Sequence, residues 1–131
     1  MNLRALIFLA AGLLGPSVAA AALTGEQVYR ETCHACHAAG VQNAPRFGDK
    51  KAWAPLIREG QHVLTAHAFV GVRAMPPSGG RPTLTLEEFA RAVAYMARSA
   101  GASWQDPNAR LLARIQAEVE KRKRNLGEAA K

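Results

Sequence analysis

Cys33 and Cys36 stand two residues apart with an imidazole directly after them, in the run Cys33-His34-Ala35-Cys36-His37. At this spacing both sulfurs reach the two vinyl groups on one edge of a porphyrin, and His37 falls beneath the iron as its proximal ligand. Cys-x-x-Cys-His is the attachment signature of a c-type haem. Two other chemistries use a Cys-x-x-Cys pair. A thioredoxin-like redox site sits in a βαβ context, and no strand-rich pattern surrounds this motif. A zinc site would have to recruit distant histidines, because the chain has no further cysteine. Covalent attachment of one haem c uses all three residues and leaves no thiol for a disulfide.

With His37 below the iron, the residue above it sets the chemistry. Met75 is the best candidate: a thioether followed by Pro76 and Pro77 is held by restricted backbone on a loop, as a weak axial ligand requires. His62 and His67 are rivals, each with the alternative of being a surface or helix-face histidine. Met96 lies on an apolar helical stripe and reads as core. His34, inside the attachment loop, cannot reach the opposite face.

The elements that must position these groups are helical. Thr24-Gly25-Glu26-Gln27 is a capping box, so a first helix starts there and carries the chain into the haem motif, with Val28 and Tyr29 on its buried side. Residues 38–45 read as loop. Asp49 caps a short helix holding Trp53, Leu56 and Ile57, with Pro55 in its first turns or disturbing it, and Gly60 ends it. Residues 61–70 fit another helix, stopped by Gly71. The run Arg73 to Gly80 is too rich in proline and glycine for a helix or a central strand and must be an ordered loop. Thr85-Leu86-Glu87-Glu88 is a second capping box, opening a helix to Gly101 with Phe89, Ala92, Val93, Met96 and Ala97 on its buried stripe. No period-two strand pattern or internal repeat appears.

The chain has 131 residues, 49% hydrophobic and 21% charged, enough for one small domain. A covalently held haem would supply much of the apolar surface that so small a core lacks. Residues 1–22 read as an export signal: Arg4, an apolar run from Ala5 to Leu14, then Pro16 and small residues, with cleavage at Val18-Ala19-Ala20 or Ala20-Ala21-Ala22. The alternative is an uncleaved anchor over residues 5–23. Export agrees with bacterial haem attachment outside the cytoplasmic membrane, and the expected location is the periplasm. Formal charge is +7, or +6 once Arg4 leaves with the signal. Export and the lack of a nucleic-acid motif argue against nucleic acid, leaving an acidic docking partner or an anionic membrane surface.

The ordered series of capped helix, Cys33 to His37, Ala44-Pro45, Phe47-Gly48-Asp49, Trp53, Met75 to Gly80 and Ala92 to Met96 resembles a class I cytochrome c, most closely the small bacterial cytochrome c5 type, over about residues 24–99. The resemblance implies an all-α fold of several short helices wrapped around one covalent haem. It implies thioethers at Cys33 and Cys36 and axial ligation by His37 and Met75. It makes Pro45 the residue whose carbonyl accepts a hydrogen bond from the proximal histidine. Trp53 resembles a tryptophan packed near the haem propionates, with ordinary core filling as the alternative. Two features depart from the pattern: Gly80 to Leu86 lacks the extra cysteine pair of some relatives, and Asn43 stands where glycine is common.

His/Met ligation fills both axial positions, so the expected reaction is outer-sphere transfer of one electron by a carrier, not an enzyme. Arg46, Lys50, Lys51, Arg58, Arg73 and Arg81 would steer it to an acidic patch on a redox partner, or are simply solvated charge. The expected organisation is a signal peptide over 1–22, the haem domain over 23–101 and a basic amphipathic helical extension over 102–131. In that extension Asp106-Pro107 reads as N-cap and first residue, Leu111, Leu112, Ile115 and Val119 share a face, and Lys121 to Arg124 close the helix. It is either laid on the domain or a docking segment for a partner or anionic lipid. Besides a free carrier, the sequence admits a cytochrome subunit of a larger oxidoreductase, with this extension as its attachment, and a catalytic or gas-sensing haem protein if Met75 leaves the iron.

Overall fold

The computed structural model describes residues 15, 17 and 19–130. The export signal expected over residues 1–22, and the alternative anchor over 5–23, fall almost wholly outside the described residues. No described helix is long and apolar enough to cross a membrane.

The first capping box forms as expected. Thr24 Oγ1 accepts from the Gln27 N–H at 3.2 Å, and Gln27 Oε1 accepts from the Thr24 N–H at 2.9 Å, opening α1 (Gly25–Val28). α1 runs on into a π-helical turn, Tyr29–Cys33, and then α2 (His34–His37), which ends the haem motif. The π turn was not expected. In it the His34 N–H bonds the Tyr29 carbonyl five residues back, a widening found often at functional sites.

Asp49 Oδ1 accepts from the Ala52 N–H at 3.0 Å and starts α3 (Lys50–Glu59), which runs through Pro55 without ending. Gly60, at φ 94°, separates it from α4 (Gln61–Val70). The following loop is ordered: Val72 and Met75 exchange both backbone hydrogen bonds, and a 3₁₀ turn covers Pro77–Gly80. The second capping box, Thr85 with Glu88, opens α5 (Leu86–Ser99), whose stripe of Phe89, Ala92, Val93, Met96 and Ala97 is buried as expected.

α6 (Ala109–Ala129) corrects two expectations. Its N-cap is Asn108, whose Oδ1 accepts from the Leu111 N–H at 2.9 Å; Asp106 is drawn instead to Arg98 at 3.1 Å. Lys121 to Arg124 do not close the helix, because Lys121 and Lys123 pair back to Glu118 and Glu120 and the helix continues to Ala129.

Two apolar clusters hold the helices. The larger joins Val28 and Cys33 with Trp53, Leu64, Ala68, Leu84 and the α5 stripe. The smaller joins Ala66 of α4 and Ala90 of α5 to Ile115 and Val119, which are 0% and 1% exposed, so α6 lies along α4 on the domain. α1 crosses α5 at Gly25, the one residue small enough there: an added Cβ would come within 2.3 Å of the Arg91 carbonyl oxygen. α5 also grips the chain entering α1, with Glu88 accepting the Leu23 N–H at 3.1 Å and Arg91 donating to the Leu23 carbonyl at 3.2 Å.

Candidate functional site

Pro45 and Phe47, after the haem motif, hold His37, and Arg46 between them holds Trp53. The Pro45 carbonyl lies 2.8 Å from His37 Nδ1. A carbonyl only accepts, so Nδ1 carries the proton, and Nε2 of the neutral ring keeps its lone pair for a metal. The Arg46 carbonyl accepts from Trp53 Nε1 at 3.0 Å, and the Phe47 N–H donates to the His37 carbonyl at 2.7 Å. Trp53 is 3% exposed, and its ring centroid lies 6.3 Å from that of His37. Core filling and support of the proximal loop are therefore one role for Trp53.

His37 forms part of the wall of a mainly apolar cavity of about 970 Å³, at the upper end of the ~300–1,000 Å³ usual for cofactor sites. Cys33, Cys36, Pro45, Trp53 and Met75 also line it, so every residue singled out in the sequence for haem binding meets at one place. Leu56, Val63, Leu64, Ala68, Val93 and Met96 complete its apolar surface. The residues fit a haem. Two thiols and a lone-pair imidazole lie on one side, a thioether comes from a separate loop, and the walls between are apolar. Cys36 is exposed and Cys33 buried; burial pushes the Cys33 thiol up to about 11. A redox dithiol needs the opposite shift, toward an accessible thiolate. Among the described residues no group of three His, Cys, Asp or Glu side chains could hold a metal by itself.

The sequence matches the family described as cytochrome C oxidase, cbb3-type, subunit III over residues 20–96. It is 42% identical over 79 residues to cytochrome c-555 of Chlorobaculum thiosulfatiphilum, covering 57% of this chain and 92% of that protein. It is 35% identical over 77 residues to cytochrome c5 of Azotobacter vinelandii, covering 57% and 93%. The fold superposes, with TM-score 0.56 and 47% identity, on a chain from the crystal structure of an electron transfer complex of nitrite reductase with cytochrome c, covering 58% of this chain and 93% of that one.

The chain belongs to the class I c-type cytochromes. It is a monohaem electron carrier, not an enzyme, and the spacing of Cys33, Cys36 and His37 is consistent with covalent attachment of haem c. Family membership points to the periplasm and to redox proteins as partners. The matches span c-555 and c5 proteins alike, so the class is established and the c5 subfamily is not singled out.

The candidate ligands separate in this cytochrome. His62 does not line the cavity; it meets Arg114 of α6 at 3.1 Å on the surface. His34 is exposed. His67 does line the cavity, near Glu59 at 3.9 Å, and its pKa is lowered first by burial and next by the Arg122 charge. Met96 is buried in the core and reaches the wall from α5. Of the six basic residues named for steering, Arg73 alone lines the cavity, and Arg81 is paired with Glu31 at 2.8 Å. Neither the Trp53–Arg46 bond nor the part played by Arg122 is legible in the sequence, since both depend on contacts made only in the fold.

Proposed function

We propose that this cytochrome shuttles single electrons in the periplasm with His37 and Met75 as axial ligands and Cys33 and Cys36 as thioether anchors, after removal of a signal peptide over residues 1–22. The observation that carries the ligand reading is the His37 Nδ1–Pro45 bond, which frees Nε2 on a cavity whose wall also includes Met75. A bound haem supplies reversible one-electron exchange at its iron. The chain supplies the rest. His37 is held at ring and backbone, so it needs little rearrangement between oxidation states. Met75 would be the second iron ligand and would leave no open site for a substrate. The apolar walls disfavour the added positive charge of the oxidised state and raise the potential relative to bis-histidine ligation.

Optical spectra of the periplasmic protein test this. The weak near-infrared-edge band of sulfur on ferric haem should be present and should vanish in Met75→Ala. Covalent haem without that band would remove Met75 from the iron and bring the catalytic or gas-sensing reading forward, with carbon monoxide binding to the reduced wild type as its mark.

Exposed Arg46, Lys50, Lys51 and Arg58, with Arg73 at the cavity, support docking to an acidic patch on a redox partner. The electron-transfer rate should then fall as salt rises, and a flat dependence would count against steering. Lys121, Lys123 and Arg124 are exposed on α6 near Leu126, itself 48% exposed, and support a second contact with an anionic membrane surface. Kinship to cytochrome c5 in particular is supported by the match to the Azotobacter protein, beside closer identity to a c-555. The family description favours a second reading, a subunit of a terminal oxidase. Co-purification of a stoichiometric partner would establish that reading over the free carrier.

A further inference from the structure

We infer that Arg122, on the C-terminal helix and outside the family-matched residues 20–96, is a positioning residue for Met75: it clamps the peptide that leads into the Met75 hairpin. The inference rests on the proposed ligation by Met75.

Gly71 links α4 to the hairpin, at φ 105°. On one side the ring of Pro77 packs against it so closely that an added Cβ would lie 3.2 Å from both Pro77 N and Cδ. On the other side Arg122 Nη2 donates to the Gly71 carbonyl at 3.2 Å. Among the described residues no backbone N–H takes that carbonyl, so Arg122 is its donor. The next residue, Val72, exchanges both backbone hydrogen bonds with Met75, at 3.1 and 2.9 Å. Between them Arg73 sits at φ 53°, a left-handed conformation that a non-glycine residue adopts only when its surroundings hold it there. The orientation of the Gly71 peptide therefore passes directly to Val72, and from Val72 to Met75.

Arg122 is also held as a structural residue would be. It stands three residues after Val119, on the face packed against α4, and its Nε is buried without a hydrogen-bond partner. Lys121 and Lys123 on either side are exposed and pair only within α6. The guanidinium lies near enough to His67, a wall residue of the cavity, for its charge to act there. An extension absent from the matched segment thus reaches the distal side of the haem cavity.

The test uses full-length ferric holoprotein with Arg122→Met, Arg122→Lys and, as control, Lys123→Met. Two quantities are read: the temperature at which the sulfur-to-iron band is lost, relative to the far-UV unfolding midpoint, and the rate at which imidazole, an uncharged competitor, displaces Met75. With the clamp gone, Arg122→Met should lose the band well below its unfolding midpoint and take up imidazole about five- to thirtyfold faster. Arg122→Lys, which retains one donor, should fall between Arg122→Met and the wild type, and Lys123→Met should match the wild type. If Arg122→Met does not accumulate as holoprotein, the imidazole rate of Arg122→Lys decides. A wild type lacking the band overturns the Met75 assignment and this inference with it. A wild type with the band, and Arg122 variants whose imidazole rates match Lys123→Met, overturns the inference alone.

Discussion

Gly25→Ala should destabilise the whole protein even though alanine is the better helix former. The added Cβ would lie 2.3 Å from the Arg91 carbonyl oxygen, 2.7 Å from its carbonyl carbon and 3.1 Å from Tyr95 Cβ, where ordinary contact begins at 3.4 Å. The nearest two atoms are backbone within a helix, so no side chain can swing aside. α1 and α5 must separate by roughly 1 Å, which loosens Val28 in the seam and the grip of Glu88 and Arg91 on Leu23. Overpacking of this kind costs about 1–3 kcal/mol. The gain in helix propensity is at most ~1 kcal/mol, and less at a first helical residue. The net loss is about 1–2 kcal/mol, read as a lower urea midpoint and a melting temperature reduced by roughly 4–8 °C for each kcal/mol. Gly127→Ala is the control: it is helical, has no atom within 4 Å of an added Cβ, and should be neutral or stabilising. A Gly25→Ala holoprotein melting at or above the wild type would refute the close crossing.

Trp53→Phe keeps an aromatic ring but leaves the Arg46 carbonyl without its part-buried donor; urea unfolding should show a loss of about 0.5–1.5 kcal/mol, and an unchanged midpoint would deny that bond a role. The N–H groups of Leu23 and Thr85 hold the Glu88 carboxyl below its ordinary pKa. A depressed folded value stabilises above the unfolded carboxylate range and is lost as pH falls through the folded value, so Glu88→Gln should flatten the acid limb of stability against pH. Equal slopes for the two proteins between about pH 6 and pH 3 would contradict this. Ile115→Ala should cost ~2–5 kcal/mol in a single transition shared by the whole domain; an unaltered haem-domain melt would mean that α6 is a detachable tail.

What the sequence discloses here is what is encoded within a few residues. Thr24 with Gln27, Asp49 with Ala52, and Thr85 with Glu88 close their hydrogen bonds inside one helical turn, so residue types alone locate those helix starts. The start of α6 is different. Asp106 and Asn108 are equally good cap types, and the choice falls to Asn108 because Arg98, on another helix, takes Asp106 and the Trp104 carbonyl. Lys121 to Arg124 resemble a helix end by charge, yet acidic residues three positions earlier absorb two of those charges and the helix continues. The π turn at Tyr29–Cys33 leaves no mark in composition at all.

The same division runs through the haem site. Its proximal side is built from residues 33–53: Cys33, Cys36 and His37 are delivered by one continuous helical stretch, and Pro45, Arg46 and Phe47 fold back on His37 with Trp53 behind them. Each of those contacts spans sixteen residues or fewer, yet only the attachment residues are legible from the motif itself and the Pro45 bond from the resemblance; the Arg46–Trp53 and Phe47–His37 bonds come to light in the fold. The distal side has no such economy of sequence. Met75 is placed by a two-residue hairpin, the hairpin by the Gly71 peptide, and that peptide by Pro77 and by Arg122, fifty-one residues further along the chain. Covalent attachment is therefore a local property of this chain, whereas the geometry around Met75, the proposed second ligand, depends on the assembled fold. Substitutions far from the haem motif can act on Met75 while leaving the attachment of the cofactor intact.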